Sequence, residues 1–172
     1  AAAIIAKHLH LRTYVLLKPP LFTEAEAIDD ASLTIRHAID AGSAAVSLEP
    51  CTIQAYTLAE YLAACDLYRP PWLWSIVEVL RRCAPLGKVV VGMFQFYPAP
   101  TLVPHNCDAC NERVLDRLRA YNQTLDAGAL DGLDCACRSA WQDALDAPAA
   151  PFEQRVVEAA KRMNALLDAQ GA

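Results

Sequence analysis

The sequence predicts an α/β fold: a few parallel strands with helical crossovers, forming part of a (β/α) barrel and followed by a cysteine-rich, mainly helical extension. Three observations predict it. Short, unalternated apolar runs each end at prolines, as in Lys18-Pro19-Pro20 and Glu49-Pro50. Helical segments with their own start and stop signals lie between those runs. After Pro100 the alternation gives way to two close cysteine pairs.

The opening Ala1-Ala2-Ala3-Ile4-Ile5-Ala6, followed at once by Lys7 and His8, reads as a helix entered part-way. Leu11 to Leu17 reads as a strand buried on both faces, because Tyr14, Val15, Leu16 and Leu17 are apolar without alternation. Pro19 and Pro20 lack the N–H that a ladder needs, so the strand ends at Lys18. Thr23 and Glu26 form a capping box, and the helix they open runs to Ala41. Its buried face is Ile28, Ala31, Ile35, Ala38 and Ile39, and Gly42 is its stop. Ala44 to Leu48 is the second strand. Thr57 caps a short helix from Leu58 to Ala64, and Trp72 to Cys83 is the next, with Trp74, Val77 and Leu80 on one stripe. Lys88 to Phe96 is the third strand. Beyond it, Glu112 to Asn122 is helical through Val114, Leu115 and Leu118. Ala147-Pro148-Ala149-Ala150-Pro151 is a hinge. The closing helix, Phe152 to Leu167, sets Phe152, Val156, Ala160, Met163 and Leu167 against the core.

Three strands are too few for a closed barrel, which takes eight strands and about 250 residues. The expectation is either a small open sheet or the end of a barrel whose beginning is missing, and the helix-like start favours the second. The organisation is therefore 1–100 for the last strands and helices of a barrel, 101–147 for the cysteine-rich extension, and 148–172 for the terminal helix.

The totals exclude several classes. Hydrophobic content of 55% and charged content of 20% over 172 residues argue against disorder. A net charge of −5 argues against broad adhesion to nucleic acid. No apolar run reaches the roughly eighteen residues that span a bilayer, so no membrane partner is expected. Cys51, Cys65 and Cys83 stand singly in apolar surroundings, which suits free thiols in a reducing compartment, and the expected location is cytoplasmic. Neither a glycine-rich phosphate loop nor a G-x-S-x-G elbow occurs.

The chemistry concentrates in Cys107, Cys110, Cys135 and Cys137: C-x2-C, twenty-four residues, then C-x-C. Tight spacers bring two sulfurs to an ion from one turn, and the long one lets the second turn fold back. Structural zinc is the leading reading, reduced thiols without metal the second, and an auxiliary iron–sulfur cluster the third. His105 can replace one cysteine but reads as a loop histidine; His8, His10 and His37 have no partner at ligand spacing. At the carboxyl ends of the strands, where barrel sites lie, stand Lys18, Ser47, Glu49 and, more weakly, Gln95. Ser47 and Glu49 share one strand face. Trp72 and Trp74 read as core anchors in preference to base-stacking platforms.

Tyr14-Val15-Leu16-Leu17-Lys18-Pro19-Pro20, Thr23-Glu24-Ala25-Glu26-Ala27-Ile28, Val46-Ser47-Leu48-Glu49-Pro50 and Tyr68-Arg69-Pro70-Pro71-Trp72-Leu73-Trp74-Ser75 resemble the C-terminal half of a radical S-adenosylmethionine (SAM) barrel. The resemblance is to the archaeosine-biosynthesis radical SAM proteins and, more distantly, to the Elongator catalytic subunit. Pro104-His105-Asn106-Cys107 and Leu133-Asp134-Cys135-Ala136-Cys137 extend it, giving coverage from Ala1 to Trp141. A glycine-threonine-x-leucine segment of the family is not matched cleanly, since Tyr56 stands where a small residue is expected and Thr57 and Leu58 are adjacent. The C-x3-C-x2-C triplet that holds the family's [4Fe–4S] cluster does not occur in this sequence.

The resemblance implies a C-terminal fragment of an enzyme that cleaves SAM to a radical and acts on a 7-deazaguanine base of tRNA. Such a chain is inactive alone. Lys18, Ser47 and Glu49 would line the SAM and substrate wall, with Lys18 facing a carboxylate. The remaining N-terminal half of the barrel would be a partner in cis or in trans, with tRNA or a modified nucleoside as substrate. Two alternatives stay open: a stand-alone zinc-stabilised binding module, and the second subunit of a split radical SAM enzyme.

Overall fold

A computed structural model describes residues 9–170, apart from the side chains of residues 167 and 170. The helix expected at Ala1–Ala6, together with His8, lies outside the described residues. Strands β1 (Arg12–Leu17), β2 (Ala45–Pro50) and β3 (Val89–Val91) form a parallel sheet in that order. Arg12 faces Ala45 and Leu17 faces Pro50 in the first pair, and Val46 faces Val89 in the second. Helices α1 (Glu24–Asp40), α2 (Leu58–Ala64) and α3 (Leu73–Cys83) fill the crossovers. The extension adds α4 (Asn111–Thr124), α5 (Arg138–Asp146) and α6 (Phe152–Gln170).

The expected capping box is present. Glu26 N–H donates to Thr23 Oγ1 at 3.2 Å, and Glu26 Oε2 accepts from Thr23 N–H at 2.9 Å. The helix stops where Gly42 takes a φ of 96°, a conformation that glycine adopts without steric cost. Thr57 caps α2 through Glu60 N–H. Tyr56, just before it, holds a φ of 63°, which is why a small residue suits that position.

One face of the sheet carries the core. Val15, Leu17, Val46, Leu48, Val89 and Val91 are buried with Ile28, Ala31 and Ile35 of α1 and Leu73, Ile76 and Leu80 of α3. The other face carries no helix among the described residues, which corrects the expectation for β1: Tyr14 is 65% and Leu16 56% exposed, although Ser47 in the central strand is buried beneath its neighbours. The physical reason is that α1 and α3 lie on the same side. The third strand is also shorter than expected. Gly92 N–H makes the last ladder bond, to Leu48 O at 2.8 Å, and the chain then leaves the sheet. The second is longer, with Glu49 and Pro50 still in register.

The segment 101–147 shares that core through Val114, Leu118, Tyr121, Leu130, Leu133 and Trp141. It also closes the β3 edge. Asn122 accepts from Val91 N–H at 2.9 Å and donates to Val91 O at 2.7 Å, doing with one amide what a further strand would do. Along the opposite edge, β1 pairs with no strand among the described residues.

The terminal helix docks through the expected Phe152 and Met163, but between them the stripe is shifted by one position. Ala159 is buried and Met163 packs on Ile53, Leu62 and Tyr68, whereas Val156 and Ala160 are exposed. Leu167, expected on the same stripe, falls outside the described side chains. The anchor is polar: Arg155 forks onto both carboxylate oxygens of Glu26, at 2.6 and 2.9 Å. Phe152 meets Phe22 edge-on at 5.6 Å. The Arg155 hydrogen bond holds the Glu26 carboxyl below its usual range. A depressed folded value means that the fork stabilises docking above the ordinary glutamate pKa and is lost as pH falls through the folded one. Chemical shifts of the Ala159 and Met163 amides should therefore move in acid, and an Arg155→Ala protein should not show the transition.

Candidate metal centre

The two cysteine pairs are each delivered by a turn that opens a helix. Cys110 N–H and Asn111 N–H both donate to Cys107 O at 3.0 Å, and this turn leads into α4. Arg138 N–H donates to Cys135 O at 2.9 Å as α5 begins. Helix N-termini carry partial positive charge, which favours thiolates. The sulfurs of Cys107 and Cys110, of Cys107 and Cys135, and of Cys110 and Cys137 are each 3.6 Å apart, and all four lie within 4.8 Å of one another.

A tetrahedral zinc–thiolate site with bonds of about 2.3 Å sets its sulfurs about 3.8 Å apart, so the quartet fits one metal ion such as zinc. A polynuclear cluster places several atoms between its thiolates and holds them farther apart, which counts against the third sequence reading.

The thiols differ in their environments. Cys110 is buried, and its burial pushes its pKa up. Burial pushes Cys137 up to about 12. Hydrogen bonds from the Cys137 backbone N–H and the Cys107 thiol pull Cys135 down to about 7. An entering metal ion displaces the thiol protons.

Two side chains from outside the turns donate to the sulfurs: Trp74 Nε1 to Cys137 at 3.3 Å and Asn106 Nδ2 to Cys110 at 3.6 Å. Asn106 also accepts from Trp74 N–H at 3.3 Å, tying the knuckle to the first turn of α3. Such outer hydrogen bonds orient metal ligands. Trp72 and Trp74 are both core residues, as expected. His105 bonds Val103 O and takes no part in the quartet, while His10 and His37 are exposed.

The strand-end residues divide into two places. Ser47 and Glu49 come together on the bare face, where the Ser47 hydroxyl donates to Glu49 Oε1 at 2.7 Å and accepts from Arg12 at 3.2 Å. Lys18 does not join them. A φ of 58° turns it inward, where it is 6% exposed and its ammonium bonds Glu24 Oε1 at 2.5 Å. Burial pushes Lys18 below the ordinary lysine value. Lys18 lines a cleft of about 350 Å³ with Tyr68 and Arg69, whereas Glu49 lines one of about 470 Å³. Gln95 lines a third, beside Met93 and Arg119.

Sequence reasoning missed what holds Glu24. Its Oε2 accepts from the Ser75 hydroxyl at 2.6 Å, and that oxygen accepts from Trp141 Nε1 at 2.9 Å. A chain of buried hydrogen bonds thus runs from α5, directly after Cys137, to the end of β1. The helical spacing of Trp141, Ala144 and Leu145 was the signal for α5.

Fold and site together define an α/β protein with helices on one face of a parallel sheet and a four-thiolate metal knuckle against the same core. Among the described residues no helix is long and apolar enough to cross a membrane. No family model matches the chain, and no solved structure does. The chain is similar to the archaeosine synthase subunit beta of Methanosarcina acetivorans, with 35% identity over 144 residues, 79% of this chain and 39% of that protein. It is 33% identical over 139 residues to the protein of the same name from Thermococcus kodakarensis, covering 77% of this chain and 41% of the relative. A Methanocaldococcus jannaschii protein described as uncharacterized is 30% identical over 140 residues, 78% of this chain and 37% of its own length. The chain thus spans about two fifths of the length of the curated relatives it matches.

Proposed function

We propose that this chain is the C-terminal part of a radical SAM protein that works, with a partner subunit, in the archaeosine modification of tRNA. The observation that carries the reading is the 35% identity over 79% of the chain to a protein named archaeosine synthase subunit beta. The parallel sheet with helices on one side supports it, since the bare face bearing Tyr14, Leu16, Ser47 and Glu49 is the side that a barrel turns inward. The missing strands of such a barrel, in cis or in trans, would cover that face and pair with the free edge of β1. The C-x3-C-x2-C triplet would come from there, because the cysteines of this chain do not supply it.

In this reading Ser47 and Glu49 contact the nucleoside part of the cofactor or the modified base. Arg69 brings positive charge to the neighbouring cleft, and Lys18 lines it while paired with Glu24. The thiolate knuckle holds zinc and fixes the first turn of α3 and the start of α5 against the sheet. Cysteines gathered on a metal ion suit a reducing compartment such as the cytoplasm.

The test is a hybrid. In the Methanosarcina acetivorans relative, the matched segment is replaced by this chain, and archaeosine is measured in hydrolysed tRNA from a strain that depends on the hybrid. Archaeosine should be made, and Cys107→Ser with Cys110→Ser should abolish it. A folded, metal-loaded hybrid that makes none would falsify the reading.

A further inference from the structure

Gly92 does not need to be glycine for its backbone, since it is not among the glycines in the left-handed region, which are Gly42 and Gly132. It follows Val91, the last residue of β3, and still donates to the ladder. The space above it supplies a reason for glycine there. A Cβ built at position 92 would stand 2.8 Å from the carboxyl carbon of Glu49, 3.1 Å from Oε1 and closer still to Oε2. The Glu49 side chain therefore reaches sideways from β2 and lies across the backbone of β3. Its Oε1 takes the Ser47 hydroxyl, itself braced by Arg12 of β1. Among the described residues no donor bonds Oε2. Arg12 of β1, Ser47 of β2 and Gly92, one residue past β3, thus set one carboxylate on this face, at the edge of a cleft of about 470 Å³ walled by Tyr14, Leu16 and Phe96.

We propose that Gly92 is the positioning residue of this face: its missing side chain lays the Glu49 carboxylate flat on the sheet as the acceptor for a ligand with neighbouring O–H or N–H donors on an apolar or aromatic body. The ligand class rests on the reading that Ser47 and Glu49 meet a nucleoside. The positioning stands on the geometry of this chain alone. Any side chain at 92 forces the carboxylate off the sheet, because the neighbour on that side is the Glu49 head group itself.

A double-mutant cycle tests the positioning through the melting temperatures of wild type, Gly92→Ala, Glu49→Ala and the double variant. Gly92→Ala should melt at or slightly below wild type, because the atoms it meets are the movable end of a flexible side chain. In the Glu49→Ala background the same change should shift the melting point upwards relative to its effect in the wild type, because the obstructing head group is gone. An equal effect in both backgrounds overturns the proposal.

Equilibrium dialysis with adenosine then tests the ligand class, using the full hybrid protein. Binding that weakens at least tenfold in Gly92→Ala, and equally in Glu49→Gln, supports the positioning role. Undiminished binding by Gly92→Ala overturns it. Failure of the unsubstituted hybrid to bind adenosine removes the ligand class and the nucleoside reading together, and the melting cycle still decides whether Gly92 positions Glu49.

Discussion

A Glu24→Ala protein should be less stable than the wild type by about 3–5 kcal/mol, the usual effect of removing one member of a buried ion pair. Glu24 is 4% exposed and Lys18 6%, and their bond at 2.5 Å is the only ion pair of the six in which both side chains are nearly sealed from water, among the described residues. Alanine leaves the ammonium without its counter-charge and the Ser75 hydroxyl without its acceptor, and Trp141 then donates to an oxygen no longer held in place. Against a typical domain stability of about 5–15 kcal/mol, the change is large enough to read directly in urea denaturation.

The charge origin of that loss has its own signature. Burial already depresses Lys18, and Glu24 is what pulls its pKa back up. Without Glu24 the folded value falls further below that of the unfolded lysine, so the unfolded state binds more protons between the two. Stability of the Glu24→Ala protein should therefore rise as pH is raised towards the ordinary lysine range. A loss that is flat with pH would assign the effect to packing. Lys18→Met with Glu24→Leu should recover most of the stability, because replacing both partners removes the stranded charge.

What the sequence made legible was local. The capping box of α1 involves residues three apart, and the cysteine pairs are spaced by one and two residues, so their geometry follows from turn chemistry alone. The first two strands were readable for the same reason, each being a short apolar run with a proline stop, whereas β3 leaves the sheet well before its prolines. The burial of Lys18 was not. It depends on a left-handed backbone, on Tyr68 donating to Lys18 O from 50 residues away, and on a glutamate whose other partner lies 51 residues on. The bare side of the sheet was hidden too, because an apolar run reads the same whether both faces are covered or one awaits a partner. On α6 an apolar stripe suggested Val156 and Ala160, but the Arg155 fork to Glu26 rotates the helix to seat Ala159 instead. Apolar periodicity does not register an anchor that is charged.

Replacing Cys107 and Cys110 by serine should remove the metal outright, from one ion per chain to none by elemental analysis, and with it the closure of the two cysteine turns on each other. Structural zinc in small peptides contributes about 10–16 kcal/mol of apparent binding energy that is also folding energy. Here the return is smaller, because Val114, Leu118, Tyr121 and Trp141 already bind this segment to the core. What the ion adds is closure between two turns twenty-four residues apart. It also neutralises four sulfurs that would otherwise stand within 4.8 Å of each other as thiols and thiolates. The double variant should accordingly melt well below the wild type, and strong chelation of the wild type should lower its melting point towards the same value. Cys83→Ser is the control, since Cys83 is buried apart from the quartet and its loss should leave the metal content unchanged. Zinc gives a colourless protein, whereas iron with acid-labile sulfide gives visible absorption and would require some of the four sulfurs to stand farther apart than the 4.8 Å within which they all lie. Retention of both metal and melting temperature in the double variant would mean that the four cysteines are packed thiols. The hydrogen bonds from Trp74 and Asn106 would then be interior contacts with no ion to orient.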